Sequence, residues 1–218
     1  PRIWPVSKSK VDRQPKLNRR EAFQAAASEL DATFVAGKLS TGDRVHLEHG
    51  PWKGILDTYI LNRAQNPITY TRVRALYVAR AGFTLRVSQR NVFTRIAELF
   101  GSRGLRVGDQ ELERKYTIKS SNDRRGQSLM MDGRIRGLIK IQPSLRLEIR
   151  RLPRRLRRIR GDGVRAVAVQ TIGVIKEPDR LVSYLLLVAA TLDRLIKIGG
   201  ASNEPVAEGR TYARPRRV

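Results

Sequence analysis

The sequence predicts an α+β protein, mainly an antiparallel sheet with packed helices, and three patterns carry that expectation. Residues 164–175 are rich in β-branched side chains and apolar at both alternating positions, as in a central strand covered on both faces. Residues 178–198 place Leu181, Val182, Leu185, Leu186, Val188, Ala189, Leu192, Leu195 and Ile196 at helical spacing. Pro178 and Asp179 suit the first turn of that long C-terminal amphipathic helix, and Gly199 suits its stop. Between residues 43 and 88, short alternating segments are separated only by turn residues, which favours consecutive antiparallel strands in a meander.

Taken in order, residues 1–17 mix Pro, Lys, Ser and Arg without period and predict a flexible basic arm. Asn18 with Glu21 forms an Asn-type capping box ahead of Phe23, Ala26, Ala27, Leu30 and Phe34, an amphipathic helix. Strands follow at residues 43–48, 55–61, 68–77 and 83–88, with turns at Gly50-Pro51, Asn66-Pro67 and Ala81-Gly82. Asn91 caps a short helix ending at Gly101, which closes a first unit over residues 18–100. Residues 101–115 are Gly-rich and charged and read as a boundary. The second α+β unit, residues 101–200, holds strands at 116–119 and 145–149, short helices carrying Leu129, Met130, Ile135, Leu138 and Ile139, an Arg-rich loop, the central strand and the long helix. Both units combine strands with a packed helix, as two similar halves would. Residues 201–218 read as a disordered basic tail.

Six motifs have a further association. They are His49-Gly-Pro-Trp52 with Leu56-Asp-Thr-Tyr59; Ile68-Thr-Tyr-Thr-Arg72; Val107-Gly-Asp-Gln-Glu-Leu-Glu113; Tyr116-Thr-Ile-Lys-Ser-Ser121; Ile141-Gln-Pro-Ser-Leu-Arg-Leu-Glu148; and Gly173-Val-Ile-Lys-Glu-Pro-Asp-Arg180. Together they resemble a family of bacterial proteins for which no activity, cofactor or catalytic residue is known. The resemblance spans most of residues 20–200 and implies no chemistry. Relatives carry an acidic loop after the Leu-Arg-Leu-Glu strand where this chain has arginines.

Charge supplies the functional signal. The net charge is +24, and 34 of the 44 basic residues are arginine, a skew that a GC-rich genome also produces. A field of that sign attracts RNA or DNA backbone, an acidic protein or an anionic membrane surface. The chain has no cysteine, which excludes disulfides and thiolate metal sites, and residues 1–16 do not read as a signal peptide. These features together predict a cytoplasmic protein.

The most concentrated charge lies in residues 150–160, where Arg150, Arg151, Arg154, Arg155, Arg157, Arg158 and Arg160 precede the first acid, Asp162. Guanidinium forks suit phosphate oxygens, so these residues are the primary candidates for polyanion binding; a solvated charge run is the competing reading. Leu152, Leu156 and Ile159 at helical spacing offer one side for packing. Arg72, Arg74 and Arg86, sharing a sheet face with Tyr70, form a secondary basic patch or simply a wet face. At 6% aromatic residues, the chain lacks the full ring set of an RNA-recognition strand. Residues 101–108 could cradle a phosphate on backbone N–H groups but lack the Lys-Ser/Thr of a P-loop. His46 and His49 fall on opposite strand faces and form no metal site, and Asp109, Glu111 and Glu113 fit a helix start as well as acid–base chemistry. No catalytic residue, cofactor or small-molecule substrate is indicated. The leading expectation is a non-catalytic protein that binds polyanions, RNA or DNA backbone, non-specifically; the alternatives are a protein-interaction or structural module whose charge is incidental and peripheral attachment to an anionic membrane through the same arginines.

Overall fold

The computed structural model describes residues 17–38, 42–63, 66–90 and 104–207. The basic arm, the short helix after Asn91 and the terminal half of the tail lie outside the described residues.

Asn18 makes both bonds of the capping box and starts α1 (Arg19–Glu29), whose Ala22, Phe23, Ala26 and Ala27 are buried. The helix stops short of Phe34, where sequence periodicity had carried it. Asp31 turns at φ 52°, and the β-branched Thr33 and Val35 favour the extended strand β1 (Thr33–Val35) instead. β2 (Arg44–His49), β3 (Trp52–Arg63) and β4 (Asn66–Val78) complete the meander, each antiparallel to the last.

The meander then ends, contrary to the expectation for the next strand. β5 (Leu85–Gln89) crosses to the far half of the sheet and pairs with β6 (Tyr116–Ser120) and β7 (Arg146–Arg151). The place beside β4 goes to β8 (Val164–Ile172), and the sheet runs β1-β2-β3-β4-β8-β7-β5-β6. Six of the nine residues of β8 are buried in unbroken succession from Val164, as a strand between two long neighbours requires.

α2 (Gln110–Lys115), α3 (Asp123–Met130) and α4 (Gly133–Lys140) are capped by Asp109, Asn122 and Asp132. α5 (Arg154–Arg160) follows β7, and α6 (Pro178–Lys197) closes the described helices. α6 packs on α1, α4, β8 and β4, so its Leu181, Leu185, Leu192 and Leu195 meet Val73, Val167 and Val169 on one sheet face. Residues 201–207, expected in the tail, are docked: Ala201 bridges Ala79, the Ser202 N–H donates to the Val78 carbonyl, and Val206 joins Leu76, Leu152, Val164 and Ala166. No helix among the described residues is long and apolar enough to cross a membrane.

Gly126 of α3 fits because it has no Cβ: one would lie 2.6 Å from Leu105 Cδ2 and 2.9 Å from Ser120 Cβ. Gly126→Ala is therefore expected to lower stability by about 1 kcal/mol in denaturant titrations, because overpacking outweighs the roughly 1 kcal/mol helix-propensity gain. Acid is expected to act on three carboxylates. Burial raises the pKa of Asp43, but the Gly37 N–H and the Arg20 and Arg19 guanidiniums more than offset it and hold the group below its ordinary value. Lys140 holds Asp109 down, and Glu113, raised by burial, is lowered further by Arg106 and the Val107 and Gly108 N–H groups. Groups depressed in the folded state contribute stability that is complete above their unfolded pKa, about 4, and lost as pH falls through the folded value. Denaturation midpoints are expected to hold from pH 7 to about 5 and then fall below pH 4.

Candidate functional site

The large helices among the described residues lie on one side of the sheet, so strand alternation places every second side chain on the face that they leave uncovered. On β4 that face carries Tyr70, Arg72, Arg74 and Leu76, while Thr71, Val73, Ala75 and Tyr77 point into the core. Register extends the rows sideways. Asp57, Arg72, Gln170, Arg146 and Ser88 form one row across β3, β4, β8, β7 and β5. Ile55, Arg74, Ala168, Glu148, Arg86 and Lys119 form the next. Arg150 continues the same face of β7, and Arg44 opens it on β2.

The three sheet arginines expected from sequence thus do share one face, and all three are engaged by carboxylates of the chain. Arg72 grips Asp57 through two bonds, Nε to Oδ1 at 3.0 Å and Nη2 to Oδ2 at 2.9 Å. Arg74 Nη2 reaches the same Oδ2 at 3.2 Å. Arg86 Nε sits 2.9 Å from Glu148 Oε1, a charge contact without hydrogen-bond alignment, and Arg150 Nε is 3.8 Å from Oε2. Burial lowers the pKa of Arg74, and repulsion from Arg72 adds to the shift while Asp57 opposes it. Arg72 is the least exposed of the set and also lies 4.4 Å over the Tyr59 ring. Its first role is to hold the face together.

Sequence reasoning missed two contributors. Arg146 is exposed and has no carboxylate within ion-pair distance among the described residues. Tyr59 stacks on Tyr70 with ring centroids 5.1 Å apart and planes 11° from parallel, and its hydroxyl donates to Gln170 Oε1 at 3.1 Å. Burial raises the Tyr59 pKa, partly countered by Arg72. Alternation along residues 145–149 already put Arg146 and Arg150 on one face; only strand order sets Arg146 beside Gln170 and Tyr70 and Arg150 beside Ala166.

The Arg-rich segment is a strand end, a turn and a short helix. Arg150 and Arg151 end β7, and the helix α5 has no buried residue. Leu152 packs as expected, but Leu156 and Ile159 are 42% and 40% exposed. Leu152 joins Leu76, Val164 and Ala166 on the uncovered face, and Arg160 Nη1 donates to the Ala207 carbonyl beside Val206 of that cluster. These two contacts tie α5 to the margin of the same face. Arg157 pairs with Asp162 at 3.3 Å; Arg151, Arg154, Arg155 and Arg158 have no ion pair among the described residues. The arginines of the sheet and those of α5 therefore border one surface.

Other candidates are occupied structurally. The Val107 and Gly108 N–H groups, offered as a phosphate cradle, both donate to Glu113 Oε1 at 2.7 and 3.0 Å. Asp109 caps α2 on the Leu112 N–H, and Glu111 and Glu113 lie in its first turn. His49 Nε2 lies 2.8 Å from Asp193 and the ring stacks on Trp52, away from His46.

The fold and face define a two-layer α+β protein with one helical layer and one exposed, arginine-rich sheet surface. No family model, curated protein or solved structure matches the chain.

Asp57 holds two guanidiniums with its own side chain only 9% exposed. Asp57→Asn is expected to lower stability by about 2 kcal/mol, less than breaking a fully buried pair because Arg74 is partly solvated. The same change is expected to raise affinity for heparin as a polyanion probe. Paired denaturation and binding titrations check the two opposite signs.

Proposed function

We propose that the chain is a cytoplasmic, non-catalytic protein that binds the phosphate backbone of nucleic acid through the uncovered sheet face and α5. The observation that carries this reading is the convergence of Arg146 and Arg150 on the sheet face with Arg154, Arg155 and Arg158 of the helix at its margin, where few carboxylates oppose them. A charge run that is merely solvated has no reason to be continued by an arginine-bearing sheet. Guanidinium forks pair two phosphate oxygens at once, and each neutralised phosphate releases counterions. Arg86 and Arg74, with 58% and 38% side-chain exposure, can turn part of their donor set outward while retaining their carboxylates. No single recognition helix is presented among the described residues, and backbone contacts alone carry little sequence information, so the proposed binding is non-specific.

Replacing Arg154, Arg155, Arg157 and Arg158 together by Gln tests this on a helix with no buried residue, Arg157 being the one that is partly buried and paired with Asp162. Binding is measured by fluorescence anisotropy with a labelled oligonucleotide between 50 and 200 mM salt. Five phosphate contacts would weaken duplex binding about 500-fold across that range, from a slope near 0.9 per contact. The variant is expected to bind more weakly and to flatten the slope by about 3 to 4. Unchanged affinity in the variant, or binding to anionic vesicles with none to nucleic acid, would refute the reading.

A further inference from the structure

We infer that the uncovered face takes single-stranded rather than duplex nucleic acid, with an unpaired base set against Tyr70 and the adjoining phosphates on Arg146 and Arg150. This rests on the nucleic-acid reading above and specifies its substrate. Three observations carry it.

The first is shape. Eight strands about 4.8 Å apart span roughly 34 Å, far wider than the major groove of about 12 Å that admits a helix or a two-stranded ribbon. A face of that breadth meets a duplex only at its outermost phosphates. A single strand, by contrast, can lie flat along it with its bases turned down. The second is chemistry. The arginine rows end in an apolar and aromatic border: the stacked Tyr59–Tyr70 pair, Leu61 at 37% exposure and Ile172 at 69%. Phosphates have no use for such a border, whereas unstacked bases do, because every base has a π face.

The third is relief. A hollow of about 280 Å³ lies where Tyr70, Gln170 and Ile172 face Ser88, Ser144 and Arg146. It approaches the size of small-ligand clefts and offers an aromatic wall, a cation, a carboxamide and hydroxyls, a mixed set that suits a base edge. A second hollow of about 430 Å³ lies between Arg86, Glu148 and Arg150 on the same face. Arg146 and Arg150, four residues apart on β7, stand about 13 Å from each other and link the two hollows with cations. Tyr59 is already used: its ring is packed on Tyr70 and under Arg72, and its hydroxyl on Gln170. It therefore fixes Tyr70 and Gln170 in place, and Tyr70 is the ring that lines the hollow.

The test compares a labelled oligo-uridine 12-mer with an RNA duplex and a DNA duplex of equal length, at matched salt, on the full chain. The single strand is expected to bind at least about tenfold tighter than either duplex. Tyr70→Ala is expected to lose about tenfold for the single strand, within the range of one stacked base, with its salt slope unchanged. Tyr70→Phe retains the ring and is expected to retain affinity, which separates stacking from any loss of folding; melting curves of both variants accompany the titrations. Arg146→Gln is expected to reduce the slope by about 0.7 instead. Equal or tighter duplex binding, or full single-strand affinity in Tyr70→Ala, overturns the inference while leaving backbone binding standing. Absence of binding to all three nucleic acids overturns both.

Discussion

The described residues are organised by an imbalance of layers: their large helices cover an eight-stranded sheet on one side only. α6 and α1 take up the apolar side chains of the meander and of β8, and among the described residues nothing comparable lies on the opposite side. Antiparallel sheets tolerate one wet face, provided that its alternating positions are polar. Here six of those positions are arginine: Arg44, Arg72, Arg74, Arg86, Arg146 and Arg150. A long arginine stem covers the apolar sheet surface beneath it while the guanidinium stays hydrated, so one residue type shields the backbone and remains in water.

Arginines placed two residues apart on neighbouring strands repel each other, and the chain limits that with two carboxylates set between them. Asp57 takes Arg72 and Arg74; Glu148 takes Arg86 and approaches Arg150. Both acids are nearly buried, which strengthens their attraction and fixes the geometry of the guanidiniums they hold. Two acids do not neutralise that many cations, so the face remains strongly positive. The bidentate Arg72–Asp57 pair is the most fixed part of that arrangement, and the surplus charge lies on the more exposed Arg86, Arg146 and Arg150.

Much of this was legible in the sequence. The capping box at Asn18 and Glu21, the apolar succession of β8 and the helical spacing of α6 are local signals, and each formed the element it implies. Side-chain alternation also put Arg72, Arg74 and Arg86 on one type of face. What a single sequence lacks is strand order. Short connections argue for a meander, yet β8 takes the place beside β4 and sends β5 across the sheet, because its apolar residues on both sides need the most interior position. That exchange brings Arg146 beside Gln170 and next to Tyr70. Residues 145–149 alternate visibly, but nothing local says which strand they adjoin. Likewise Phe34 keeps helical spacing with α1, and the turn at Asp31 together with the pairing of β1 with β2 decides against the helix.

On the proposed reading, the two kinds of arginine divide the task of binding by their freedom. Arg72 and Arg74 are held by hydrogen bonds to Asp57, so they have less rotamer entropy left to lose when a phosphate arrives than the exposed Arg146 and Arg150. Those of α5 are solvated on a helix with no buried residue, and their ordering on contact costs more. Exposed charges act at a distance of about a Debye length and raise the encounter rate, whereas fixed donors favour one placement of the strand. A surface with only the first kind would gather polyanions without orienting them. The aromatic border gives the fixed donors something to orient, because it sets the base side of a strand apart from its phosphate side.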